Sequence, residues 1–250
     1  MAHLLLKKNY IYYITVIILI GMMTSTTILV KQRKQKIIEI REQNQKIEYL
    51  KKINLLFNFK VIKTRETKPL NRPKSIKHKE ITGFDYLFIN YAAKIRWDWR
   101  LLAALSYQES RLNFRAISPV GARGLMQIMP ATARQYGIPC EFLEDPVLNI
   151  ATAAIYLAFL QQHFSDVTKG EQIFYILAGY NGGYNHIRDA MGLCKKYGGN
   201  QYSWGDVAYW VLQLNRIKDP IVKYGKMNGS ETVNYVKNVL IYYKYIKYIS

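Results

Sequence analysis

Gln108-Glu109-Ser110-Arg111, followed at a short distance by Ser118-Pro119-Val120-Gly121-Ala122-Arg123-Gly124-Leu125-Met126-Gln127-Ile128-Met129-Pro130, is the stretch on which the reading of this chain turns. Leu101, Leu105 and Glu109 stand at i, i+4 and i+8, so they share one stripe of a helix. A carboxyl group that continues a leucine stripe points toward the domain. Burial there disfavours the charged form and raises the pKa, which suits a general acid working near neutral pH. An arbitrary glutamate at a helix end more often frays into water, but the loop that follows shifts the reading. Gly121 and Gly124 let the backbone fold back toward the helix end, and Ser118 and Gln127 supply a short and a long polar side chain beside it.

Outward from this stretch the pattern is helical. Asp98 is placed to cap the helix that runs through Leu101, Leu102 and Leu105 to Glu109. Pro130 opens another helix, which Gly137 ends. Asp145-Pro146 is a cap followed by proline at the first helical position, ahead of a long apolar helix reaching about Phe164. Further helices are expected over Glu171–Gly179, Tyr184–Met191 and Asp206–Leu214, and Ser230 is the expected cap of a last one with Glu231 in its first turn. Ala178-Gly179-Tyr180-Asn181-Gly182-Gly183 reads as a helix break that displays an aromatic ring and an amide. No run of alternating strands occurs, so the fold class is all-α, and the folded domain is expected to begin near Ile81.

The N-terminal third is different in kind. The chain carries a formal charge of +19, but residues 1–80 hold 18 Lys/Arg against 5 Asp/Glu, whereas residues 81–250 hold 18 against 12. Tyr10 to Val30 is free of charge for 21 positions. At about 1.5 Å rise per residue that length crosses a hydrocarbon core of about 30 Å. The region is too long, and Ser25-Thr26-Thr27 too poor an exit site, for a cleaved signal peptide, so an uncleaved membrane anchor is expected. Ile40, Ile47, Leu50 and Phe57 fall at roughly heptad positions and suggest a short helical stalk, and Lys60 to Lys79, with Pro69 and Pro73, reads as linker. The basic arm suits anionic lipid head groups. No nucleic-acid module accompanies it, so no specific nucleic-acid partner is expected.

Cys140 and Cys194 have no metal-ligand spacing and read as small buried thiols, with a bridge between them the alternative in an oxidising compartment. The four histidines form no metal motif, so neither metal nor cofactor is expected.

Taken together, Glu109-Ser110, Ser118-x-x-Gly121-Ala122-x-Gly124-Leu125-Met126-Gln127-Ile128-Met129-Pro130-x-Thr132-Ala133, Tyr180-Asn181 and Glu231-Thr232-x-x-Tyr235-Val236 resemble the catalytic domain of bacterial lytic transglycosylases of the soluble-type family. The resemblance runs from about Ile81 to the last residue, and from Leu177 through Trp204 to Tyr235 it is most similar to the membrane-bound F-type branch. It implies a goose-lysozyme-like α-helical fold. Residues 1–80 are expected to stand where that branch carries a solute-binding-like domain. Three regions are therefore expected: a membrane anchor with basic flanks at 1–36, a basic stalk and linker at 37–80, and a catalytic domain at 81–250.

The resemblance implies Glu109 as the single catalytic acid and base, with Ser118 and Gln127 beside it orienting the carboxyl and the substrate. Met129 and Tyr180 would line a glycan groove, Asn181 would hold the Tyr180 turn, and Glu231 would face the groove more remotely. Met129 is equally compatible with core packing, and Glu231 with a first-turn charge at a helix dipole. The tyrosines at 235, 242, 243, 245 and 248 read as packing or surface. Arg115 stands where the family often has proline, and Gly179 where it usually has alanine. The activity implied is non-hydrolytic cleavage of the β-1,4 bond between N-acetylmuramic acid and N-acetylglucosamine in peptidoglycan glycan strands, closing a 1,6-anhydro ring. A lysozyme-type muramidase and a non-catalytic, membrane-tethered glycan-binding or assembly module are the alternatives, and the intact Glu109/Ser118/Gln127 set favours an enzyme. More basic residues follow the apolar segment than precede it, which by charge bias alone places the catalytic part in the cytoplasm. The implied chemistry places it on the other side, facing the cell wall, and the expectation follows the chemistry.

Overall fold

The computed structural model describes residues 2–60, 80–224 and 226–250, with side chains from Ile28 to Phe57 in the first of these segments. Helix α1 spans Ala2–Lys60. The expected anchor at Tyr10–Val30 has nearly all its side chains outside the described residues, and the linker over 61–79 lies outside them altogether. Among the described residues no helix is long and apolar enough to cross a membrane.

The chain divides into two compact units, residues 1–48 and 49–250. In the first, Ile40 and Ile47 are exposed, so the heptad-like positions there make no seam. The second unit takes in more than the sequence suggested. Ile53 and Phe57 on the last turns of α1 are fully buried in its core, and Lys94 lies over the Phe57 ring. The sequence pointed to Ile81 because the Lys- and Pro-rich stretch at 60–79 separates Ile53 and Phe57 from the rest of the domain.

Eight more α-helices follow among the described residues: α2 (Asp85–Ile95), α3 (Trp99–Ser110), α4 (Pro130–Gln135), α5 (Pro146–His163), α6 (Lys169–Gly182), α7 (Tyr184–Lys196), α8 (Trp204–Gln213) and α9 (Gly229–Ile249), with a 3-10 turn at Cys140–Phe142. Extended structure is limited there to the isolated bridges Ile117 to Arg123 and Arg123 to Ile128. The domain is all-α, as the patterning required.

Each start has a local cause. Asp85 is buried and accepts from the Ile81 and Thr82 N–H groups, fixing the entry to α2. Asp98 accepts from Arg100 N–H at 3.0 Å and Asp145 from Leu148 N–H at 3.0 Å, each satisfying an orphan donor of its helix. Helix α5 is buried nearly all round, from Leu148 to Leu160, which makes it the central element. Leu102, Leu105, Leu157 and Leu160 are fully buried, each contributing about 1.5–3 kcal/mol over exposure. Both cysteines are free thiols; Cys194 is buried and Cys140 partly exposed.

Two expectations change. The cap of α9 is Asn228, whose side chain accepts from Glu231 N–H at 3.2 Å, while the Ser230 hydroxyl donates to that same Asn228 oxygen at 2.9 Å. Helix α6 does not break at Ala178. It carries Tyr180 and Asn181 within its last turn and stops only at Gly183, whose φ of +91° belongs to the left-handed side that glycine tolerates. Glycines at 179 and 182 suggest a break in sequence, but both are helical here, and the crowding around them is what calls for glycine. A Cβ on Gly179 would come within 3.2 Å of the Phe164 and Leu160 side chains on the α5 side.

Candidate active site

Helix α3 ends abruptly. Arg111 and Leu112 both have positive φ, +55° and +64°, so the chain reverses within two residues of Glu109. Arg111 is held there by the rings of Tyr107 and Tyr242, at 4.6 and 5.2 Å, and by its donation to the Tyr242 hydroxyl at 2.9 Å.

The loop from Asn113 to Met129 is a knot of short-range bonds. Ser118 and Ala122 exchange a backbone bond, and the Ser118 hydroxyl accepts from Ala122 N–H at 2.9 Å. Gln127 has φ +45° and donates its amide to the carbonyls of Ala116 and Gly124 at 3.1 and 3.0 Å. Gly124 has φ +77°, and a Cβ there would sit 2.2 Å from the Leu143 carbonyl oxygen and 2.4 Å from the Asn149 amide nitrogen. No other residue fits.

The loop is fastened to three helices. Ser110 and Ser106 of α3 both donate to the Leu125 carbonyl, at 2.8 and 3.1 Å. Asn149 of α5, fully buried, accepts from Met126 N–H at 2.8 Å and donates to the Arg123 and Leu143 carbonyls at 2.9 and 2.8 Å. Tyr180 of α6 donates to the Met126 carbonyl at 2.8 Å. Buried polar groups of this kind are retained only when paired, and here each side chain gives at least one bond to the loop backbone.

Glu109 is half-buried at the centre of this arrangement and accepts a hydrogen bond from the Tyr235 hydroxyl of α9. Loss of hydration pushes its pKa up to about 7; the Tyr235 hydrogen bond opposes the shift, and the charge of Glu231 adds to it. Tyr235 and Tyr180 are both held well above the ordinary phenol value, by burial first and then by the Glu109 carboxylate, so neither gives up its proton to the acid. Asn181 accepts from the Thr232 hydroxyl at 2.7 Å, which ties the end of α6 to the start of α9.

The sequence-selected residues therefore separate into two groups. Glu109, Tyr180 and Glu231 are within electrostatic reach of one another, and Asn181 braces the two helices that bring the last two there. The Ser118 hydroxyl accepts from Ala122 N–H and the Gln127 amide donates to the Ala116 and Gly124 carbonyls, all within their own loop. Met129 caps α4 with its side chain 39% exposed, which removes it from the core. Sequence reasoning missed Tyr235, assigned to packing or surface, and Asn149, passed over inside an apolar helix. The signal for Tyr235 was its place four residues after Glu231 in a helix. For Asn149 it was an amide in an otherwise apolar run, since a buried polar group must find partners.

Such a site can do one thing well. It keeps one buried carboxylic acid protonated up to about neutral pH, beside two neutral phenols, with the Asn113–Met129 loop on one side and the Glu231 charge farther off.

Residues 86–203 match the profile described as Transglycosylase SLT domain. Membrane-bound lytic murein transglycosylase F of Yersinia enterocolitica is 41% identical over 164 residues, 65% of this chain and 33% of that protein. The protein of the same name from Photobacterium profundum is 39% identical over 169 residues, 67% of this chain and 32% of its own length. The crystal structure of the 70 kDa soluble lytic transglycosylase from Escherichia coli overlays with a TM-score of 0.47 at 31% identity, over 66% of this chain and 24% of that one. The chain thus spans about a third of the length of the curated relatives it matches. The stretch that matches the profile runs from α2 through α7.

Proposed function

We propose that the protein is a peptidoglycan lytic transglycosylase that cleaves the bond between N-acetylmuramic acid and N-acetylglucosamine without water. The observation that carries this reading is Glu109, a lone acid with its pKa raised to about 7 by burial inside an SLT domain. Protonated Glu109 donates to the bridging oxygen as positive charge builds at the muramyl anomeric carbon. The substrate's own acetamido oxygen assists there, in place of a second carboxylate. The Glu109 carboxylate then takes the proton of the muramyl C6 hydroxyl, which attacks the same carbon and closes the 1,6-anhydro ring. One residue serves both steps because the nucleophile is already part of the substrate and no water needs activating.

Tyr235 orients the carboxyl and stabilises its charged form, so that the acid regenerated after each turnover stays near neutral pH. Met129 and the exposed edge of Tyr180 meet the glycan. Ser118 and Gln127 fix the loop that forms one wall. The relatives are named as membrane-bound, and residues 10–30 of this chain are of a length and composition to hold it in a bilayer, with the domain facing the cell wall in the bacterial envelope.

Digestion of purified sacculi followed by mass spectrometry of the products tests the reading. Anhydromuramyl ends are expected from the wild-type chain and none from Glu109→Gln. Reducing ends carrying the mass of water would make the protein a muramidase instead.

A further inference from the structure

One pole of the domain, about 16 Å from Glu109 along α3, has a chemistry that the glycan site does not use. There the start of α3 meets the end of α9: Arg100 donates to the Ser250 hydroxyl at 2.6 Å, and the Tyr243 hydroxyl donates to Asp98 at 3.0 Å. On α9, Lys244, Tyr245 and Tyr248 lie on the face turned away from buried Tyr235, Val239 and Ile246, and the two tyrosines are 62% and 88% exposed. From Thr232 to Ser250 the helix carries three lysines and no acidic residue.

Beside it opens a cavity of about 390 Å³ with Arg96 and Lys169 at its rim and Trp97, Leu101, Ile173 and Ile176 in its lining. Gln161 also lines it, and its side-chain oxygen is buried without a donor among the described residues. The acids are engaged: Asp98, which also lines the cavity, pairs with Arg100 at 3.2 Å, and Glu171 accepts from Trp204 N–H at 2.6 Å.

We propose that this pole docks on an anionic phospholipid surface, with a phosphoglycerol head group entering the cavity between Arg96 and Lys169. The phosphate would face the two cations, and a head-group hydroxyl would donate to Gln161. Trp97, Tyr245 and Tyr248 are amphipathic rings of the kind that settle at head-group depth, and Lys244 and Lys247 extend along their stems to reach phosphates. The contact is separate from the apolar segment at 10–30 and from the activity of Glu109. It would hold the site at a set height above the bilayer.

The full chain is mixed with vesicles of phosphatidylcholine, alone or with phosphatidylglycerol, in which the acyl chains are brominated to quench tryptophan. Expected is quenching that grows with phosphatidylglycerol and is relieved by salt. It should be lost in Trp97→Phe/Trp99→Phe but kept in Trp204→Phe/Trp210→Phe. The triple variant Arg96→Gln/Lys169→Gln/Lys247→Gln, checked for wild-type circular dichroism and sacculus digestion, should need several-fold more phosphatidylglycerol for half-maximal quenching, since three of the cations that would face lipid phosphates are removed.

Co-sedimentation with pure phosphatidylcholine reports on the apolar segment alone, so its failure is distinct from failure of the docking. The proposal is overturned if quenching ignores phosphatidylglycerol or the triple substitution, or if it arises from Trp204 and Trp210. Loss of sacculus binding in the triple variant, with vesicle quenching unchanged, would also overturn it and make the pole a wall contact.

Discussion

The Tyr235 hydroxyl of α9 donates to the carboxyl of Glu109 at the end of α3, across 126 positions of sequence. The bond stabilises the charged acid, whereas burial and the nearby charge of Glu231 destabilise it. The poise of the site near pH 7 is thus a balance of opposing contributions, and each can be removed separately.

Replacing Glu109 by Gln should abolish turnover and, at the same time, stabilise the fold in a pH-dependent way. The folded pKa of about 7 lies above the ordinary 4.5, so the native state holds the proton more tightly than the unfolded chain does. Stability from this group is therefore greatest in acid and is lost as pH rises through 7. Urea unfolding at pH 8 should show the variant more stable by up to roughly 3 kcal/mol, with the difference vanishing near pH 4. An equal gain at both pH values would mean that the carboxyl is not desolvated.

Removing the phenol in Tyr235→Phe takes away the interaction that lowers the acid's pKa. The basic limb of the pH–rate profile should move to higher pH, and kcat should fall by about 10- to 100-fold, the range expected for a hydrogen bond to a charged group. A fall in kcat with an unmoved limb would assign Tyr235 to packing alone.

Neutralising Glu231 should act in the opposite sense. Its charge raises the Glu109 pKa, so Glu231→Gln should shift the basic limb toward lower pH with little effect on stability, the residue being exposed. The two variants together distinguish a tuned acid from a merely buried one.

Asn149 anchors two backbone groups of the loop that faces Glu109, the Met126 N–H and the Arg123 carbonyl, and a third outside it, the Leu143 carbonyl. Asn149→Ala leaves them unpaired in the core and opens a cavity, so a loss of about 3–5 kcal/mol is expected from denaturant unfolding. Gly124→Ala should fail for a related reason, its Cβ colliding with that same amide and the Leu143 carbonyl.

Much of the architecture could be read locally. Asp98 and Asp145 followed by apolar periodicity placed α3 and α5, and each aspartate caps as its chemistry dictates. Where the reading slipped, long-range packing had overridden a local signal. Gly179 and Gly182 looked like helix breakers, yet α6 runs through both; they are glycines because Phe164, Leu160, Met227 and Thr232 press too closely for larger residues. Ser118 and Gln127 also bond to the backbone of their own loop, which local sequence did not announce, since a tight turn leaves its carbonyls and amides in need of nearby bonds.

A helical domain, an acid at the end of a buried stripe and a glycine-shaped loop after it can all be read from the residues in order. Those features depend on periodicity and on local backbone chemistry. Which groups surround that acid depends on how the helices pack. Tyr235, Tyr180 and Glu231 reach it from other helices, and desolvation and charge depend on distance in space rather than along the chain.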